Sequence, residues 1–234
     1  MRNLELLYED EFCIAVNKPA GLAVQGGKGV GVSLDGLLER MWGRRPFLVH
    51  RLDRDTSGLI LIAKTKEAAA GFSKLFSGGG IVKHYLAICK GRPAVEEGTI
   101  TLDLDIRGSV KKSVTRFRLI QIFSGEDEFS LLQLEPGTGR MHQIRRHLAA
   151  SGNPVLGDDK YGDFTLNKKL RKTLKLKKLL LHASRLIVPE TGFYGPLDLN
   201  APLPEHFELF LKFSHGEHQG TEFHGGITRI GKNL

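Results

Sequence analysis

The sequence predicts an α+β fold, a mixed and mainly antiparallel sheet with helices on its faces. Three observations predict it. Apolar residues make up 41% and charged residues 26% of the 234 positions, which provides for a sizeable core and argues against global disorder. Strand-like runs dominate, interrupted by occasional helical periods rather than by regular βαβ alternation. Residues 99 to 135 alternate polar and apolar positions between Gly and Asp/Ser turns, the pattern of an antiparallel meander.

Taken in order, LLYEDEFCIAVNKPAGLAV reads as a short strand pair, its second run broken by Lys18-Pro19 and Gly21. Ser33 can then cap a helix whose apolar residues Leu34, Leu37, Leu38 and Met41 share the core-facing side, ending at Gly43. Residues 58 to 63, GLILIA, are wholly apolar and too short for a helix, so they suit a strand buried on both faces. Thr65 opens a helix through Ala68 to Phe76, stopped by Gly78-Gly79-Gly80. A buried strand follows at 85 to 89, then the meander, a short helix over 141 to 151 ended by Gly152, and a last buried strand in LLLHASRLIV. The expected organisation is one catalytic domain over 1–213 and a flexible Gly- and His-rich tail over 214–234. His215, His218 and His224 in that tail match no usual metal-ligand spacing.

The net charge of +8 suits a polyanionic partner. Nearly all of it sits in residues 168 to 178, KKLRKTLKLKK, where Lys168, Lys169, Arg171, Lys172, Lys175, Lys177 and Lys178 have no acid among them. A solvated helix face would intersperse acids, so the unrelieved run is assigned to phosphate contact. Cys13 and Cys89 lie in apolar strand-like runs and read as buried free thiols. No apolar run approaches membrane-span length and the N-terminus is acidic, so a cytoplasmic protein is expected, without a membrane partner and as a monomer.

Chemistry concentrates in His50-Arg51-Leu52-Asp53-Arg54-Asp55-Thr56-Ser57-Gly58, a charge-dense segment running straight into the buried strand. On its residues alone it could be an ion-pair network, a phosphate clamp or an acid/base site. The segment through Ala63-Lys64 resembles the H-R-L-D-x-x-T-S-G-apolar-A-K motif of the RluA-type pseudouridine synthases. Four further segments stand around it in that family's order: Asn17-Lys18-Pro19-Ala20-Gly21; Lys83-His84-Tyr85-Leu86-Ala87 with Gly91; Gly139-Arg140-Met141-His142-Gln143-Ile144-Arg145-Arg146-His147, running on to Gly157-Asp158; and Leu181-His182-Ala183. Gln25 stands where many members have histidine. The S4 RNA-binding domain common in the family does not fit in the six residues before the first match, so RNA binding is expected to fall on the catalytic domain and its basic insert.

The resemblance implies a synthase that flips a uridine out of structured RNA and isomerises it to pseudouridine. It implies Asp53 as catalytic carboxylate, Arg145 as its counter-charge and Tyr85 as the residue packed on the flipped base and assisting proton transfer. Arg51 is implied to occupy the vacated space, while Arg140 and the basic run bind phosphate. Such an isomerisation exchanges one glycosidic bond for another, so no organic cofactor and no metal is expected. Large-subunit ribosomal RNA is favoured over transfer RNA because GDDKYGD, Asn167 and the basic insert look most like ribosomal members. Two other classes compete: a carboxylate glycosidase using Asp53 and Asp55, which would release base or sugar, and a non-catalytic RNA-binding module, which would leave Asp53 without a task.

Overall fold

In the computed structural model, which describes residues 4–106 and 109–214, the predicted sheet has ten strands. The first half contains β1 (Glu5–Glu9), β2 (Cys13–Lys18), α1 (Leu34–Trp42), β3 (Phe47–Leu48), β4 (Ser57–Ala63), α2 (Lys66–Gly78) and β5 (Val82–Lys90). The second contains β6 (Glu97–Ile106), β7 (Ser109–Phe123), β8 (Phe129–Pro136), α3 (Gln143–Ala150), α4 (Phe164–Thr173), β9 (Leu181–Val188), β10 (Leu197–Asn200) and α5 (Glu205–Ser214). The main strand order is β1-β2-β4-β9-β5-β8-β7-β6, with β10 beside β9 and β3 beside β4.

β4 is buried along its whole length, as its apolar run requires. Alternate residues serve two cores: Leu59, Leu61 and Ala63 pack with Phe72 of α2, while Ile60 and Ile62 pack with Leu34 and Leu38 of α1. A third core joins β5 and β8 to α3, α4 and α5. Thr65 caps α2 by accepting the Ala68 N–H at 3.1 Å, and Gly79 ends it in the left-handed conformation.

Among the described strands β4 and β9 form the one parallel pair, and the pairing is two residues long: Ser57 beside His182 and Gly58 beside Ala183. Gly58 has φ +110°, and a Cβ there would stand 2.2 Å from the Ala183 carbonyl oxygen. Glycine is therefore obligatory immediately after the charged segment, where the two halves of the sheet meet.

Several expectations change. Ser33 stands at the N-cap position of α1, but its hydroxyl donates to Asp35 Oδ1 instead of capping, and Met41, expected in the core, is 70% exposed. The basic run is not free of acids in space. Its first part is the second half of α4, anchored by buried Leu170, and the following loop is anchored by buried Leu176. Lys169 Nζ lies 2.7 Å from Glu126 and 2.8 Å from Asp127 at the β7-β8 turn. The sequence reading also missed α4 itself, which Asp163 caps by accepting the Leu166 N–H, and α5. Cys13 and Cys89 are free and buried. The expected tail and its His215, His218 and His224 lie outside the described residues, apart from Ser214, the last residue of α5.

Candidate active site

The loop from β3 to β4 carries the charged segment, and its two ends are fastened before any chemistry begins. At the entry, His50 stacks on Phe76 with ring centroids 4.2 Å apart and its Nε2 accepts the Leu61 N–H at 2.9 Å. Burial pushes this imidazole down to about 3, so it serves as a neutral structural acceptor. At the exit, Ser57 Oγ lies 3.0 Å from Nδ1 of His182, which ties two distant segments of the sequence pattern together. His182 is fully buried and burial lowers it to about 4.

The middle of the loop hangs on Lys18. This fully buried lysine ends β2 and donates to the carbonyls of Pro19 (3.1 Å), Leu22 (2.8 Å) and Arg54 (2.9 Å). Burial lowers its ammonium to about 7, against the pull of Asp55 and Asp53. The Gly21 N–H also donates to the Arg54 carbonyl, so the peptide after Asp53 is held twice. A lysine inside the apolar run CIAVNKPAG is a legible oddity, but its three carbonyl partners come from the turn and from a loop over thirty residues away.

From the opposite side, α3 brings Arg145. Its Nε and Nη2 each lie 2.7 Å from a separate oxygen of Asp158, and its Nη1 lies 3.8 Å from Asp53 Oδ2. Arg145 is 4% exposed and Asp158 1%. Burial alone would lower the guanidinium, but hydrogen bonding to Asp158 and the charges of Asp158, Asp53 and Asp159 hold it above its usual range. Asp158 also accepts the N–H groups of Lys160 and Tyr161, and these with Arg145 outweigh burial and keep its carboxyl low. Arg145 is thus next to Asp53, as expected, but Asp158 is its principal partner. Asn167 of α4 holds that loop in turn, accepting the Gly157 N–H and donating to the Asp158 carbonyl.

His142 precedes α3 in the left-handed region at φ 54°, which costs a non-glycine residue about 1 kcal/mol or more and marks functional positions. Its Nε2 lies 3.8 Å from Asp53 Oδ1 and its Nδ1 3.2 Å from the Tyr161 hydroxyl. Burial lowers this imidazole, Arg145 and Lys160 adding to it and Asp53 and Asp158 opposing. Gln143 fixes the turn: its Oε1 accepts from the Thr138 hydroxyl and the Arg140 N–H, and its Nε2 donates to Val114 and Thr115.

Asp53, with its side chain 23% exposed, lies in a cavity of about 390 Å³ whose lining also includes Arg51, Tyr85, Arg140, His142 and Arg145. That volume suits one nucleobase with its ribose. Burial, with the Asp53 charge adding to it, pushes the Tyr85 phenol up, so it stays protonated. The Nε of Arg140 is buried without a hydrogen-bond partner among the described residues. The structure therefore brings together Asp53, Tyr85, Arg145, Arg51 and Arg140. Lys168, Lys169, Arg171, Lys172, Lys175, Lys177 and Lys178 do not line this cavity. Among the described residues no cluster of three His, Cys, Asp or Glu side chains could hold a metal ion.

Three arginines and one carboxylate line a nucleobase-sized hollow, a lining whose positive charge suits a polyanionic ligand. Residues 13–150 match the family model described as RNA pseudouridylate synthase. A ribosomal large subunit pseudouridine synthase C from Rickettsia bellii is 36% identical over 86% of this chain and 69% of its own length. One of the same name from Vibrio vulnificus is 33% identical over 88% of this chain and 68% of its own. The structure of human RNA pseudouridylate synthase domain containing 4 superposes with TM-score 0.74 at 28% identity, covering 90% of this chain and 93% of that one. The chain belongs to the RNA pseudouridylate synthase family, isomerases that act on RNA. No described helix is long and apolar enough to cross a membrane.

Proposed function

We propose that this chain isomerises uridine to pseudouridine in large-subunit ribosomal RNA, with Asp53 as the carboxylate that works at C1′. The observation that carries the site assignment is Asp53 Oδ2 lying 3.8 Å from Nη1 of a buried arginine inside a cavity of nucleobase size. The choice of RNA rests on the named substrate of the relatives at 33 to 37% identity.

The reaction breaks the N1–C1′ bond, forms C5–C1′, takes the hydrogen from C5 and returns a proton to N1, so it requires no redox partner or group donor. C1′ gains positive charge as N1 leaves, and a carboxylate beside it lowers that barrier, as in retaining glycosidases. Arg145 keeps the carboxylate ionised inside the cavity, and the protonated Tyr85 phenol packs against the base. The uridine must first leave its stack, which costs a few kcal/mol in a duplex. Arg51 occupies the vacated space, and Arg140 with the exposed cations of 168–178 contacts backbone phosphate. The same reading takes residues 1–213 as one catalytic domain of a monomer, with a cytoplasmic location following from the RNA substrate.

A map of carbodiimide adducts on total RNA, read as reverse-transcription stops with and without the gene, tests the reading. Loss of one or more large-subunit sites is expected. Loss confined to transfer RNA would move the substrate, and no loss at all would remove the assignment. Asp53→Asn is expected to abolish tritium release from C5-labelled uridine while preserving RNA affinity.

A further inference from the structure

A second cleft, of about 590 Å³, is lined by residues of the β2-α1 connection and of α1, together with one residue of the loop that carries Asp53. Arg54 lines this cleft and Asp53, the preceding residue, lines the other. The Lys18 ammonium and the Gly21 N–H both bond the Arg54 carbonyl, so the backbone that passes from one hollow to the other is fixed.

The floor of the cleft is apolar and open to solvent: Val30 is 39% and Val32 58% exposed, with Leu37 beside them. Arg40 stands at its edge, and Lys28, Arg44 and Arg45 are exposed on the same segment. Arg54 is 3.1 Å from Asp55, and Glu39 is exposed nearby. The Asp35 carboxylate is turned to the Gly26 and Gly36 N–H groups and the Ser33 hydroxyl, and it is not among the residues that line the cleft. A groove with cations at its edge suits single-stranded nucleic acid, its phosphates facing Arg40 and Arg54 and its bases covering aliphatic surface in place of the usual aromatic platform. A protein or lipid partner has less reason to fit a cleft that opens next to a nucleotide site.

We propose that this cleft is a subsite for an unpaired nucleotide flanking the target uridine, with its base on Val30 and Val32 and its phosphate facing Arg40 and Arg54. The proposal rests on the reading of Asp53 as the uridine site. It predicts contact with any base, since an apolar floor reads no hydrogen-bond pattern.

The test is fluorescence anisotropy with fluorescein-labelled single-stranded U12 and a 12-base-pair RNA duplex, on the full chain. Arg40→Glu is expected to raise the Kd for U12 about tenfold, through a lost phosphate contact and a reversed charge, and Val32→Ser about threefold, an aliphatic contact being weaker than aromatic stacking. Neither should change the duplex Kd appreciably. Lys74→Glu makes the same kind of charge reversal on α2, across the sheet, and is expected to leave U12 binding unchanged. Circular dichroism melting shows that each variant is folded, and Val30→Ser replaces any that is not. Unchanged U12 affinity in the cleft variants overturns the proposal, as does an equal loss from Lys74→Glu, which would reduce the effect to general charge. Tritium release from a C5-labelled large-subunit transcript by the unaltered protein is measured separately. Its absence would sink the functional assignment, while U12 affinity still decides the cleft.

Discussion

Arg145 gives Asp158 its Nε and Nη2, each at 2.7 Å, and so shows Asp53 only Nη1, at 3.8 Å. A bidentate pair fixes the plane of the guanidinium, so the cation beside Asp53 is oriented before any substrate enters. Removing one member of a buried pair leaves the other charge uncompensated, which typically costs about 3 to 5 kcal/mol. Asp158→Ala is therefore expected to lose stability of that order in urea unfolding and to lower kcat. A loss under about 1 kcal/mol would show that Arg145 is held by other means.

His142 separates stability from function. Asparagine tolerates the left-handed conformation better than histidine, so His142→Asn is expected to leave the unfolding free energy unchanged or raise it by up to about 1 kcal/mol. If the imidazole beside Asp53 takes part in the reaction, kcat/KM should fall at least about tenfold in the same variant. Full activity would make the strained backbone a purely structural feature.

Acid should weaken the fold through His182. Burial lowers its pKa to about 4 in the folded protein, against an ordinary 6.5 in the unfolded chain, so between these values the unfolded chain binds more protons. Stability is then complete above about 6.5 and falls as pH drops towards 4, by about 1.4 kcal/mol per pH unit for this group. Protonation would make Nδ1 a donor where it now faces Ser57. Urea unfolding of the native protein and of His182→Gln across this range should give slopes differing by that amount. Parallel slopes would contradict it.

Within the basic run, cations differ. Lys169 is engaged by Glu126 and Asp127, whereas Lys172 is exposed. Lys172→Ala should lower the slope of log K against log salt by about 0.7 to 0.9, the value for one phosphate contact, and Lys169→Ala by clearly less. Equal effects would mean that RNA pulls Lys169 away from its acids.

Local chemistry explains which elements were legible in the sequence. β4 announces itself as GLILIA, and α2 carries both a threonine cap and a glycine stop. α4 does not, because its buried face rests on Leu166 and Leu170 alone within a stretch of lysines. Asp53, Tyr85 and Arg145 could be placed because each lies in a segment resembling a known pattern. The supports of the site were harder. His142, Gln143 and Asp158 lay within quoted segments, yet Asp158 meets Arg145 across thirteen positions and Lys18 meets Arg54 across thirty-six. No periodicity or local propensity encodes such a meeting, and the acids that neutralise Lys169 come from a turn some forty residues earlier.

The two-residue junction of Gly58 and Ser57 with Ala183 and His182 also sets an order of events during synthesis. Asp53 emerges from the ribosome more than a hundred residues ahead of the strand its loop leans on, so contact across that distance is among the last to close. A nascent chain that stops before residue 181 carries the Asp53 loop held by His50 and Lys18 but without its anchor on β9. The junction between the two halves of the sheet therefore closes only after β9 has been made.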